Sequence, residues 1–129
     1  MRKEETVMSI RFFKVSAVYF VIAIILGIIM GIAHDFTLTS VHAHLNLLGW
    51  VSMALFGTIY YLFPRAGDSK LASAHFWLHN IGVPVMQGGI TLSMLVGGVI
   101  FTVFAILGSL VIVIGGILFL INVFKYVKA

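Results

Sequence analysis

Three of the five histidines in this chain fall within one short stretch, His34-Asp35-Phe36-Thr37-Leu38-Thr39-Ser40-Val41-His42-Ala43-His44. Imidazole is the commonest metal-ligating side chain. A cluster of imidazoles at the mouth of a long apolar run is costly to keep in a bilayer, and packing alone does not offset that cost. The chain has no cysteine, so thiolate chemistry is excluded and any metal or cofactor must be held by His, Asp, Asn or Met. Neither a nucleophile–base pair nor a phosphate loop is present. These residues point to a bound cofactor or metal, with no independent enzymatic turnover expected.

Spacing narrows the chemistry. At about 100° per residue on a helix, His42 and His44 point about 200° apart. They serve opposite faces and cannot chelate one ion. Asn46, Gly49 and Met53 fall on the His42 face, with Leu48, Val51 and Leu55 below His44. Gly49, two turns below His42, leaves room for a flat macrocycle or for a neighbouring helix. His75 and His79 are spaced i, i+4 and share a face, which suits a metal pair. Beside Phe76 and Trp77 they equally suit an anchor at the headgroup level. His34-Asp35 reads either as a polar helix end, with Asp35 or Ser40 capping the next helix, or as a hard-cation site for an ion such as magnesium.

The elements that must position these residues are membrane spans. Of the 129 residues, 61% are hydrophobic and only 9% charged; soluble domains carry about 25% charged residues. A span needs roughly 20 apolar residues, and four stretches qualify, at about 12–33, 41–63, 75–96 and 100–124. The first is too long, and too closely followed by others, for a cleaved signal peptide. A short loop over 65–74 and a Gly97-Gly98 turn leave room for one transmembrane domain over 1–129, an all-α four-helix bundle with up-down connections. All eight basic residues, Arg2, Lys3, Arg11, Lys14, Arg65, Lys70, Lys125 and Lys128, then fall on one side. The positive-inside rule makes that side, and both termini, cytoplasmic, with the histidine cluster toward the outer side. The net charge of +4 is accounted for by topology and contact with anionic lipid, with no nucleic-acid partner. Gly27/Gly31, Gly89/Ser93/Gly97 and Gly108/Gly115/Gly116 form small-residue stripes suited to close helix packing, within the bundle or between protomers.

The stretch from His34 to about residue 85 resembles the catalytic subunit (subunit I) of the heme-copper oxidases, with C-type (cbb) cytochrome oxidases and nitric oxide reductases the nearest in flavour. The resemblance is carried by His42-Ala43-His44, Leu48-Gly49-Trp50-Val51, Gly57-Thr58-Ile59-Tyr60-Tyr61-Leu62-Phe63-Pro64, His75-Phe76-Trp77-Leu78, Ile81-Gly82, and His34-Asp35 eight residues before His42. In that family the first histidine of the pair ligates a high-spin heme and the second a low-spin heme, on opposite helix faces. A His-Asp near the heme propionates and a non-redox metal precedes them.

The resemblance therefore implies heme iron ligation at His42 and His44, propionate or metal contact at His34 and Asp35, and a heme face lined by Asn46 and Gly49. The family's catalytic subunit has about a dozen helices. Its copper-holding histidines and the second axial histidine of its low-spin heme come from helices this chain does not contain, so oxygen or nitric oxide reduction does not carry over. The expected protein is a b-type cytochrome-like heme binder in the bacterial cytoplasmic membrane, for electron transfer or diatomic gas binding. It would be a homo-oligomer if a second axial ligand comes from another copy, with a redox partner or a full oxidase beside it. The alternative is a copper- or zinc-binding protein, or an oxidase-associated assembly factor, using His34, Asp35 and His42 without heme.

Overall fold

A computed structural model describes residues 7–129; Arg2 and Lys3, two of the eight basic residues, lie outside the described residues. The described chain is all helix. Helix α1 spans Val7–Ala33 and α2 spans Thr39–Leu62, the latter interrupted by a π-helical segment over Leu45–Val51. A short α3 covers Pro64–Gly67. Helices α4, Lys70–Leu95, and α5, Val99–Tyr126, complete the order.

Each boundary has a local cause. Helix α1 stops where His34 enters the left-handed region at φ 50°, and the Asp35 N–H reaches back to the Met30 carbonyl at 3.2 Å, satisfying one of the helix's last acceptors. Asp35 caps the following turn, accepting from the Thr37 N–H at 3.0 Å and the Thr37 hydroxyl at 2.6 Å. Ser40 lies inside α2, not at its cap. Helix α4 begins at Lys70, five residues before the expected 75, because Ser69 Oγ accepts from the Ala72 N–H at 3.1 Å as an N-cap. Gly97 and Gly98, at φ 78° and 102°, make the turn into α5 in a conformation side-chain-bearing residues rarely adopt.

Two antiparallel pairs build the bundle, by different means. Helices α4 and α5 meet backbone to backbone. A Cβ at Gly108 would lie 2.4 Å from the Met86 nitrogen, and one at Gly89 would lie 2.4 Å from the Ala105 nitrogen. Gly82 and Gly115 continue this seam, against Ile112 and Leu78 respectively. Ser93 and Thr102 close it with a hydroxyl–hydroxyl bond of 3.0 Å. The expected stripes are thus used in part: Gly89, Gly108 and Gly115 pack inside the chain, while a Cβ at Gly31 or Gly116 would meet nothing within 4 Å. Helices α1 and α2 form the other pair. Large rings fill the space between the pairs, with Phe12, Phe56, Tyr60 and Phe119 around His75 and Phe76 edge-on to Phe12.

Outside this core the helices present Ile, Val, Leu and Phe to the surroundings, as a lipid solvent requires. Among the described residues three helices, α1, α2 and α5, are long and apolar enough to cross a membrane, so the chain is a membrane protein. Run length alone suggests four. Helix α4 has the length but carries His75, His79, Asn80 and Gln87, and it is the helix the others cover: His75, His79 and Gln87 are all buried.

Candidate functional site: a histidine pair and a buried tyrosine–histidine core

His42 and His44 do take opposite faces of α2, and their surroundings differ. The His44 Nδ1–H donates to the Ser40 carbonyl at 2.7 Å. A carbonyl can only accept, so the proton is on Nδ1 and the Nε2 lone pair is left free. The ring is half-buried. His42 instead lies over α1: a Cβ at Gly27 would come within 2.8 Å of its Cε1. Gly27 is small because this ring sits on it. Asn46 stands beside His42, its amide donating to the His42 carbonyl at 2.9 Å and lying 3.5 Å from Nε2. His42 Nδ1 is buried with no partner.

Gly49 does not face open space. A Cβ there would lie 2.6 Å from the Tyr19 ring, so a tyrosine of α1 fills the room expected for a macrocycle. Of the two readings open for this glycine, the neighbouring helix is the one seen. The π-turn adds a departure from the regular wheel, since its N–H groups reach back five residues, and faces below Leu45 no longer follow the 100° rule.

His34 and Asp35 sit in the exposed α1–α2 connection. The two Thr37 hydrogen bonds hold the Asp35 carboxyl below the usual carboxylate range. Among the described residues, no group of three His, Asp or Glu side chains is placed to hold a metal ion. His34, Asp35, His42 and His44 therefore do not gather as one first coordination sphere.

His75 and His79 are not interfacial anchors. His75 is fully buried and His79 nearly so, while Trp77 between them is exposed. The headgroup expectation failed because α4 turns this face inward against α2 and α5. Tyr60 and His75 Nδ1 are 2.9 Å apart. Asn122 Nδ2 donates to the Tyr60 oxygen at 3.4 Å and to the Ala66 carbonyl at 3.0 Å. With an amide donor already on the phenol oxygen, the phenol hydrogen is directed at His75 Nδ1, which puts the imidazole proton on Nε2, a buried nitrogen with no partner. The rings of Phe12, Phe56 and Phe119 enclose this imidazole, at centroid distances of 5.3, 4.4 and 5.1 Å. One nitrogen of each ring of the i, i+4 pair is committed elsewhere, His75 Nδ1 to Tyr60 and His79 Nε2 to a backbone oxygen.

That oxygen belongs to Leu48, in the π-turn. His79 Nε2–H donates to it at 2.8 Å. A π-turn disrupts the regular ladder of carbonyl partners, and in lipid an unpaired carbonyl is expensive. His79 thus ties α4 to the part of α2 one turn below His44.

Tyr60 and Asn122 are absent from the residues singled out by spacing. The signal for Asn122 was its amide in an otherwise apolar helix end; for Tyr60 it was only a place in the Gly57–Pro64 run that carries the resemblance, where Tyr60 and Tyr61 read alike. Tyr60→Phe removes the group that joins His75 to Asn122 and leaves both buried. Unpaired buried polar groups cost about 1–3 kcal/mol, so the variant is expected to melt clearly lower in detergent than the parent. An unchanged melting temperature would show that the pair contributes nothing.

The chain is similar to known proteins over part of its length. The chain is 42% identical over 59 residues to cytochrome c oxidase subunit 1 of Rhodobacter capsulatus, covering 41% of this chain and 11% of that one. It is 38% identical over 61 residues to a cytochrome c oxidase subunit 1 homolog of Agrobacterium tumefaciens, covering 43% and 11%. With a cbb3-type cytochrome c oxidase subunit of Stutzerimonas stutzeri it shares 32% identity over 85 residues, covering 57% and 18%. No family model matches the chain, and no solved structure matches it. A histidine pair on one apolar helix thus stands in a chain that is similar, over part of its length, to subunit 1 of cytochrome c oxidases and that spans less than a fifth of the length of those relatives.

Proposed function

We propose that this chain is a heme-binding membrane protein of the b-type cytochrome kind, carrying electrons rather than reducing oxygen. The observation that carries the reading is the His44 ring. Imidazoles that ligate a metal usually donate their other N–H to a carbonyl or carboxylate, which fixes the tautomer and raises ligand basicity. His44 has that arrangement through Ser40, with Nε2 unprotonated. Leu47, Val51 and Leu55 leave apolar surface on the exposed side of the same helix, suited to a flat apolar ring. Heme b bound there would supply a one-electron iron centre whose potential follows its axial ligands and burial.

The other residues take secondary parts. His34 and Asp35, on the outer connection, would meet the propionates or a hard cation such as magnesium. His42 and Asn46 face α1, and a heme on that side would require α1 to leave Gly27. No observation favours copper or zinc at His34, Asp35 and His42 in place of heme. His79 would act through the Leu48 carbonyl to hold the turn beneath His44.

The topology belongs to the same proposal. Helix α4 packs against α5 from Ser93 to His75, and α5 is long and apolar enough to cross. A helix so paired would cross the same depth, giving four crossings with the basic residues and both termini cytoplasmic and His44 toward the outer side of a bacterial cytoplasmic membrane. No second histidine shares the His44 face. The other axial ligand would come from His44 of another copy, in a homo-oligomer, with a redox partner or a larger oxidase assembly nearby. Heme-to-protein ratio tests the sharing: half as many hemes as chains is expected. Equal numbers would end the shared-ligand arrangement while keeping heme, and no heme at all would end the reading itself.

A further inference from the structure

The basic residues at the other end of the bundle are not spread evenly. Arg65, Lys125 and Lys128 line one open cleft of about 370 Å³, whose apolar walls are Leu62, Phe63 and Tyr126. Among the described residues no Asp or Glu lines it, and the one acidic group in the lining is the carboxyl group of Ala129. The frame is fixed. Arg65 lies in α3, and α3 is locked to α5 by the Asn122 amide on the Ala66 carbonyl, 3.0 Å. Gly67 packs so closely on Tyr60 that a Cβ would come within 3.1 Å of the Tyr60 carbonyl oxygen. Lys125 follows Asn122 by one turn of the same helix, with its amine 5.2 Å from the centre of the Tyr126 ring. Lys128 follows just past the helix end; three cations against one carboxyl group leave the cleft net positive, and a further anion lowers its electrostatic energy.

We propose that this cleft binds a phosphate group, and that the phosphate is the headgroup of an anionic phospholipid. Arg and Lys are the side chains that recognise phosphate. The cleft sits where the apolar helices α2 and α5 end, so its cationic part meets the headgroup layer. Leu62, more than half exposed, continues its wall toward the acyl region. A soluble phosphate would use the cations but not the apolar wall. This inference does not depend on heme.

The test uses the full chain in detergent, with thermal stability and native mass spectrometry read against added dioleoylphosphatidylglycerol, dioleoylphosphatidylcholine or inorganic phosphate. Each cation near a charged headgroup is worth about 1 kcal/mol, or roughly fivefold in affinity. The parent is expected to retain and be stabilised by the phosphatidylglycerol. Lys125→Gln and Lys128→Gln together are expected to weaken retention by more than tenfold at that rate. Lys14→Gln with Lys70→Gln removes the same charge outside the cleft and is expected to change little. Equal retention of both lipids, or an equal loss in the control pair, would overturn the site in favour of diffuse surface charge. Stabilisation by inorganic phosphate matching that by the lipid would overturn the lipid assignment and leave a soluble-anion site.

Discussion

His44→Ala is expected to purify as a folded protein without the heme absorption of its parent. The side chain is half-exposed and its one clear hydrogen bond is local, to Ser40 in the same helix, so its removal takes little from the packing. Losing an iron ligand, in contrast, removes the bond that holds the cofactor. His42→Ala is expected to differ in kind. That ring fills the contact with Gly27, so its loss leaves a void between α1 and α2 and lowers stability by about 1–3 kcal/mol. Heme content and melting temperature, measured on both variants, separate the roles. Unchanged heme in His44→Ala would remove this residue as the ligand, and full heme loss in His42→Ala without loss of stability would transfer the role to the α1 face.

Gly108→Ala is expected to damage the α4–α5 pair severely. The added Cβ would stand 2.4 Å from the Met86 nitrogen and 2.9 Å from the Gly82 carbonyl oxygen. These are backbone atoms, and no side-chain rotation relieves the clash, so the helices must separate. Overpacking costs about 1–3 kcal/mol and occasionally more; a rigid backbone contact belongs at the top of that range. Gly116→Ala adds the same methyl group on the same helix, where nothing lies within 4 Å. There the better helix propensity of alanine should make the change neutral or stabilising, by up to about 1 kcal/mol. Equal melting temperatures for the two variants would contradict the glycine seam.

The helical character of the chain, and much of its helix layout, was legible in composition and run length, because lipid imposes a simple rule on apolar helices. The opposite faces of His42 and His44 were legible too, since both lie ahead of the π-turn, where the helical wheel still holds. The arrangement below them was not. The π-turn over Leu45–Val51 has no marker in local sequence; it is held by His79, distant in the chain. The placement of Gly49 depended on Tyr19 of another helix, and one helix cannot reveal its neighbour. Of the two readings open for His75 and His79, the headgroup anchor fails: their neighbours Phe76 and Trp77 suit an interface, whereas only Trp77 is exposed. Their true partners, Tyr60, Asn122 and the Leu48 carbonyl, come from tertiary packing. Helix α4 fell outside the apolar class for the same reason, since its polar side chains are turned inward.

The most direct test of the central claim is a reduced-minus-oxidised optical spectrum of the protein, purified in detergent after heme-sufficient expression, recorded with and without carbon monoxide. A sharp b-type spectrum unaffected by carbon monoxide is predicted, as expected of iron held by two histidines. A spectrum shifted by the gas would contradict the shared-ligand, electron-transfer reading and mark an open axial position. The absence of any Soret band would contradict heme binding altogether.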